Sequence, residues 1–327
     1  MKAIQISKTG GPEVLTFTDN VPAPSPTENN VLIEVLVAGV NYIDTYFREG
    51  IYPTSLPFIP GKEGVGRVVA DPSGSIAEGT LVAWCGPLGS YAQYASVPKD
   101  KLVAVPEGTD LHVAASMLLQ GITAHYLCYG VKDLQPGDSC LITAGAGGVG
   151  LILTQMAKAK GATVISLVST DYKAELARQA GADEVIFYDD KFAQSVRKLN
   201  GGQGVDIVYD GVGKATFDES LACIRPRGIM CLFGAASGPV EPIDPQILNT
   251  HGSLFLTRPS LDGWTSQPDE FRMRAQAVTQ LVSDGTVKIR IGAVYPLAEA
   301  EQAHRDLQAR KTTGSVVLEV PREEENC

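Results

Sequence analysis

Residues 141–158 constrain the fold more than any other stretch. Leu141-Ile-Thr-Ala-Gly145-Ala-Gly147-Gly148-Val149-Gly150-Leu-Ile-Leu-Thr-Gln155-Met-Ala-Lys158 is an apolar run that breaks into glycines and resumes with helical spacing. The pattern reads as strand, tight turn, helix. Gly145, Gly147 and Gly150 stand at the G-x-G-x-x-G positions, with Gly148 and Val149 between the last two. The first glycine permits the turn, the second lets backbone N–H groups approach a pyrophosphate, and the third lets the helix pack closely on the strand. A glycine turn alone is common and also occurs in α/β proteins that hold no cofactor. Here the setting is the required one, because a second strand, Thr163-Val-Ile-Ser-Leu-Val168, follows the helix.

The alternation continues beyond it. Strands are read at 140–144, 163–168, 184–187, 205–209 and 229–233, with helices at 148–160, 171–180, 190–199 and 215–224 between them. A parallel sheet with crossover helices is the economical fold for that order. The first third of the chain is different: short apolar stretches at 3–6, 14–17, 31–38, 81–84, 91–97 and 102–105 lie among frequent Gly and Pro, the pattern of a compact β-rich domain. Within it, Gly39-Val-Asn41-Tyr-Ile-Asp44-Thr-Tyr46-Phe-Arg48 reads as a helical turn followed by a loop, and Asn41, Asp44 and Arg48 recur at the spacing of one helix face. From Leu111 to Tyr129 the pattern is helical. Helices at 271–283 and 298–307 and a strand at 314–320 are too many to cap the parallel sheet and return to the first domain. The expected division is therefore 1–122 with 259–327, and 123–258, while Arg322-Glu-Glu-Glu-Asn-Cys327 reads as a solvated tail.

Composition narrows the class. The chain has 327 residues, 44% hydrophobic and 20% charged, which is a globular composition with room for two domains. No apolar run reaches the roughly 20 residues that span a bilayer, and the N-terminus reads as a first strand rather than a signal peptide, so the expectation is a cytoplasmic enzyme away from membranes. A formal charge of −10 disfavours nucleic acid and anionic lipid as partners. It also requires that an anionic cofactor be met by helix N-termini and a few local cations. Six scattered cysteines without a C-x-x-C pair and four histidines without ligand spacing suggest neither a disulfide framework nor a metal site.

With Gly39-Val-Asn41-Tyr-Ile-Asp44-Thr-Tyr46, Gln120-Gly-Ile-Thr123-Ala, the glycine run to Gly150, Asp210-Gly-Val-Gly213, Phe233-Gly-Ala-Ala-Ser237, Leu254-Phe-Leu-Thr-Arg258-Pro and Arg310-Lys-Thr-Thr-Gly314-Ser in this order, the chain resembles, end to end, the zeta-crystallin-like quinone oxidoreductases of the medium-chain dehydrogenase/reductase superfamily. The resemblance implies a Rossmann doubly wound parallel sheet plus a discontinuous β-rich, GroES-like catalytic domain, NADPH in the cleft between them, a quinone as small-molecule substrate, and a homodimer. It places Asn41 and Thr123 near the nicotinamide, Tyr46 and Tyr52 at the substrate mouth, and the strand ends at Gly211, Phe233 and Ser237 along the cofactor. Arg258 and Arg310 are either partners of the cofactor phosphates or ordinary ion-pair residues. Asn41 and Asp44 have a structural alternative as turn and capping residues.

Zinc-dependent members carry a cysteine after the Gly-Val and a histidine before the glutamate, where this chain has Asn41 and Lys62. Neither is a suitable zinc ligand, so the resemblance is to the zinc-free branch and the expected chemistry is hydride transfer to a conjugated acceptor. An NAD site has Asp or Glu at the end of the second strand. Here Ser169 stands there, with Lys173 and Tyr188 nearby, and the resemblance sets the 2′-phosphate against these three. No side chain emerges as a certain acid or base. An enone or alkenal (2-alkenal) reductase is the alternative reaction, and a crystallin-like or RNA-binding role the alternative of another class.

Overall fold

In the computed structural model, which describes residues 1–322, the chain folds into two compact units. One comprises Met1–Ile122, Thr265–Ser283 and the chain from Ile289 onward, the other Thr123–Trp264 and Asp284–Lys288. The tail expected from Arg322 lies, beyond Arg322 itself, outside the described residues.

The second unit carries a six-stranded parallel sheet in the spatial order Glu184–Phe187, Thr163–Val168, Ser139–Ile142, Val205–Asp210, Ile224–Leu232, Phe255–Thr257. Numbered along the sequence, this is the order 3-2-1-4-5-6 of a doubly wound dinucleotide fold. The inner strands are apolar on both faces: Leu141, Ile165, Val208 and Met230 pack with Phe192, Phe217 and Leu221 from the crossover helices. The strand order reverses between Ser139–Ile142 and Val205–Asp210, which run parallel with Cys140 beside Ile207. Ligands of such sheets bind at the carboxyl ends of the two strands flanking that reversal.

The first unit is built on a seven-stranded sheet in the order Ile291–Pro296, Ser315–Glu319, Asn30–Val40, Glu63–Ala70, Leu81–Cys85, Leu102–Ala104, with Tyr94–Pro98 paired to Asn30–Val40 as well. Asn30–Val40 is its spine, an 11-residue strand pairing with three others. Ile33, Val35, Trp84, Tyr91, Val97 and Leu318 form its core with Leu297 and Ala300 from the last helical segment.

Two boundaries differ from the sequence expectation. The second unit runs on to Trp264 rather than 258, because Trp264 stacks on Tyr126 with ring centroids 5.5 Å apart and planes within 5°. It also takes in Asp284–Lys288, because Gln155 brackets Lys288, accepting its N–H at 2.8 Å and donating to its carbonyl at 3.1 Å. Among the described residues no helix is long and apolar enough to cross a membrane.

Candidate active site

The nucleotide end grows from the first strand of the parallel sheet. Ser139–Ile142 runs into Thr143-Ala144-Gly145, with Ala144 in the left-handed region at φ 49°, and the helix Gly148–Ala159 follows. Its N-cap is Gly147 and no side chain caps it, so the first-turn N–H groups are left for an anion. The glycines serve different ends. A Cβ on Gly145 would fall 1.8 Å from the Ser166 hydroxyl oxygen and one on Gly150 2.5 Å from the Ala144 carbonyl oxygen, whereas one on Gly147 would meet only that carbonyl oxygen, at 3.2 Å. Gly145 and Gly150 are required by internal packing. Gly147 instead leaves open the space a pyrophosphate would take, and the residues present fit a dinucleotide.

At the end of the second strand Ser169 is exposed and Thr170 caps the helix Asp171–Gln179, its hydroxyl accepting the Lys173 N–H. Asp171 is thereby a first-turn helix residue. Tyr188, after the third strand, accepts the Ala144 N–H on its hydroxyl at 2.7 Å, tying the glycine turn to the neighbouring strand end. An accepting phenol retains its own proton to donate. Ser169 and Tyr188 thus follow adjacent strand ends beside the glycine turn, and Lys173 lies in the first turn of the helix that follows Ser169.

Across the reversal, Asp210 shapes the next turn. Its fully buried carboxylate accepts the N–H groups of Val212 and Gly213 at 2.8 and 3.0 Å and the hydroxyls of Thr216 and Ser220 at 2.7 and 2.8 Å. The Phe233 ring covers Gly211, where a Cβ would come within 2.8 Å of it. Ser237 closes the same turn, donating to the Val212 carbonyl at 2.7 Å and accepting the Ala215 N–H at 2.9 Å. Gly211, Phe233 and Ser237 therefore make one surface, with the Ser237 hydroxyl engaged by the turn itself.

The first unit contributes a separate cluster. The helix Tyr42–Glu49 begins after Asn41, whose N–H is accepted by Asp44 Oδ2 at 2.8 Å, and ends at Gly50 with φ 78°. That reversal folds Tyr52 back, its N–H reaching the Tyr46 carbonyl at 3.2 Å. The Tyr46 and Phe47 rings each meet Tyr52 edge-on at 5.5 Å, and the buried Lys62 ammonium lies 5.2 Å over the Phe47 ring. Tyr46 and Tyr52 are thus brought together, and Asn41 stands at the start of the helix that carries Tyr46.

The face opposite these rings is a buried polar network. Arg48 donates to His304 Nδ1 at 3.0 Å, which makes Nε2 the protonated nitrogen. His304 Nε2 is then the donor to Tyr91, 3.2 Å away, and Tyr91 donates to Asp44 Oδ2 at 3.0 Å. Burial pushes Asp44 up to about 6 against its hydrogen bonds, and burial next to Arg48 drives His304 down to about 3. The Asn41 side chain joins Glu63, whose carboxyl accepts from Asn41 Nδ2 at 2.9 Å and from the Leu119 N–H at 2.8 Å. Burial outweighs both bonds and raises Glu63 to about 8.

Of the remaining candidates, Thr123 is buried in the helix Leu118–Tyr126 and is the first residue of the second unit. Arg310 belongs to the first, exposed after the helix Ala300–Gln308 with φ 59°, its charge bearing on Tyr42. Glu63, Gln120, Asp210 and His304 were not among the sequence candidates. Their local signals were slight: Gly61-Lys62-Glu63, Gln120-Gly and Asp210-Gly-Val-Gly213 stand in the sequence, but nothing local says what each side chain meets.

Two family models match the chain, an alcohol dehydrogenase GroES-like domain over residues 27–107 and a zinc-binding dehydrogenase over 148–281. A quinone oxidoreductase of Pseudomonas aeruginosa is 43% identical over 97% of this chain and 99% of its own. A 2-haloacrylate reductase of a Burkholderia species is 39% identical over 97% and 98%. A mycobacterial protein solved in complex with NADPH superposes with a TM-score of 0.95 at 49% identity, covering 98% of this chain and 99% of that one.

Proposed function

Because the chain belongs to the quinone oxidoreductase family of the medium-chain dehydrogenases/reductases, we propose that it is a zinc-independent NADPH:quinone oxidoreductase. The observation that carries this reading is the uncapped N-terminus of the helix Gly148–Ala159, with a carboxylate-free strand end at Ser169 and Lys173 and Tyr188 close in the fold. The first-turn N–H groups from Gly148 to Gly150 hold the pyrophosphate against a protein that is otherwise negative. Ser169, Lys173 and Tyr188 take the 2′-phosphate, and the surface of Gly211, Phe233 and Ser237 continues the cofactor groove. NADPH, when bound, supplies the hydride. Tyr46 and Tyr52 offer ring edges and phenols to a flat acceptor, and Asn41 donates to its oxygen.

Zinc independence rests on the two positions that matter for the metal. The Asn41 amide is engaged by protein groups and the Lys62 ammonium lies over Phe47. Exhaustive chelation is expected to leave activity intact, and stoichiometric zinc whose removal abolishes turnover would refute this. Five scattered, buried cysteines among the described residues fit a reducing compartment, and we place the protein in the cytoplasm. We also propose a homodimer, formed at the outer strand Phe255–Thr257.

Steady-state NADPH oxidation against ortho- and para-quinones, enones, acrylates and alcohols tests the assignment. Quinones are expected to be turned over fastest. A preference for activated alkenes would favour the second reading, an alkenal or acrylate reductase, which the 2-haloacrylate reductase relative supports; turnover of alcohols alone would overturn both.

A further inference from the structure

We propose that Gln120 and Ser315 are positioning residues that hold the Asn41 amide with its nitrogen toward Glu63 and its carbonyl away, so that one amide face is presented to the substrate. The inference rests on the reading of Asn41 as a substrate contact.

Four buried side chains form one chain of hydrogen bonds. Ser315 Oγ donates to Gln120 Oε1 at 2.8 Å, Gln120 Nε2 to Asn41 Oδ1 at 3.1 Å, and Asn41 Nδ2 to Glu63 Oε2 at 2.9 Å. The far end is anchored by the Leu119 backbone N–H, which can only donate, on Glu63 Oε1 at 2.8 Å. None of the four residues is more than 5% exposed, so water cannot readily replace a missing member. Turning the Asn41 amide over would set its NH₂ against the NH₂ of Gln120; Asn41 therefore turns only if Gln120 turns with it, the Ser315 hydroxyl changes from donor to acceptor and Glu63 Oε2 carries a proton, so Glu63 in its ionised form, which can only accept, fixes the orientation of the whole chain. An amide nitrogen carries two N–H bonds. With one of them directed to Glu63, the second takes a fixed direction, which is the one a substrate oxygen would meet.

The backbone is shaped for this chain. A Cβ on Gly39 would fall 2.5 Å from the Ala115 carbonyl oxygen and 2.8 Å from Glu63 Oε2, so the glycine two residues before Asn41 lets both that backbone and the carboxyl approach. Gly314, at φ 60°, turns the chain immediately before Ser315. Gly39-Val-Asn41, Gln120-Gly and Gly314-Ser315 are distant stretches of the sequence, and this chain of bonds is where they meet.

The test compares Asn41→Ala, Gln120→Leu, Ser315→Ala, Ser315→Thr and the double variant Gln120→Leu/Ser315→Ala. Quinone kcat and KM, NADPH Kd by fluorescence titration, and Tm are measured on each. Gln120→Leu is expected to lower kcat/KM for quinone about tenfold with NADPH Kd unchanged, and Ser315→Ala by somewhat less. Ser315→Thr should restore most of that loss, and the double variant should be no worse than Gln120→Leu, because both act through one amide. Should Gln120→Leu fail to fold, the Ser315 pair, which changes a single oxygen or methyl, decides. If Asn41→Ala impairs turnover while Gln120→Leu and Ser315→Ala match wild type, the positioning role is overturned and the reading of Asn41 stands. If Asn41→Ala itself leaves quinone turnover unchanged, the reading of Asn41 falls and takes this inference with it.

Discussion

A lysine in the first turn of a helix sits at the positive end of the backbone dipole, and Lys173 holds that place in Asp171–Gln179. A phosphate beside it reverses the sign of that interaction. A charge-assisted hydrogen bond contributes about 1.5–3 kcal/mol, and partial exposure holds Lys173 near the lower figure. Lys173→Ala should therefore weaken NADPH by roughly ten- to thirtyfold and leave NADH nearly untouched. Ser169→Asp should go further, repelling the 2′-phosphate while offering NADH a ribose partner. Fluorescence titration of both cofactors at two salt concentrations checks this; equal weakening of the two by Lys173→Ala would refute the assignment of the pocket. Tyr52 is a different kind of residue, held by edge contacts to Tyr46 and Phe47, each worth about 0.5–1.5 kcal/mol. Tyr52→Ala should raise quinone KM several-fold, with a small loss of Tm and no change in NADPH Kd. Quinone kinetics equal to wild type would leave Tyr52 a packing residue only.

At the scale of elements, the helix Tyr42–Glu49 is fixed to the helix Ala300–Gln308 by the run Arg48, His304, Tyr91, Asp44. His304 is neutral in the fold, with its pKa lowered to about 3 from 6.5. Between those values the unfolded chain binds the extra proton, so the imidazole's contribution is complete above pH 6.5 and is lost as pH falls toward 3, by up to about 1.4 kcal/mol per pH unit. Asp44 and Glu63, raised in the fold, act in the opposite direction but are common to wild type and variant. His304→Gln should accordingly be less stable than wild type at pH 7, with the gap narrowing as pH is lowered to 4 in urea melts; parallel curves would show that the imidazole is not held neutral. The alternation of strands and helices from Ser139 to Leu232 was legible in the sequence because buried parallel strands read as apolar runs and their crossover helices keep the 3.6-residue period. Ile291–Pro296 was not legible, since it owes its strand conformation to pairing with Ser315–Glu319, and Phe255–Thr257 is three residues long. The same division holds in the site. The glycine turn is local and could be read, whereas the partners of Asn41 come from Glu63 and Gln120, 22 and 79 residues away, and no periodicity announces a bond across such a distance.

For the whole molecule the outer strand of the parallel sheet is the surface on which the proposed homodimer turns. Phe255–Thr257 pairs on one side with Ile224–Leu232 and ends the sheet on the other. It carries Phe255 at 64% exposure and Leu256 at 37%, and the charge and proline of the kind that guard a sheet edge, Arg258 and Pro259, stand only after its last residue. A second copy meeting this edge about a two-fold axis would pair like with like and close the assembly at two chains. The chain's net charge of −10 opposes such a pairing at long range. An apolar contact is the kind that overcomes it, and added salt should tighten the dimer by screening the repulsion. Sedimentation at low and moderate salt is therefore expected to give twice the mass of the chain, with the monomer fraction larger at low salt. Phe255→Asp places like charges in the contact and should yield a monomer that keeps its Tm to within a few degrees, because the substituted side chain is exposed in the single chain. A Phe255→Asp protein that sediments as a dimer at the wild-type midpoint concentration would exclude this edge as the interface.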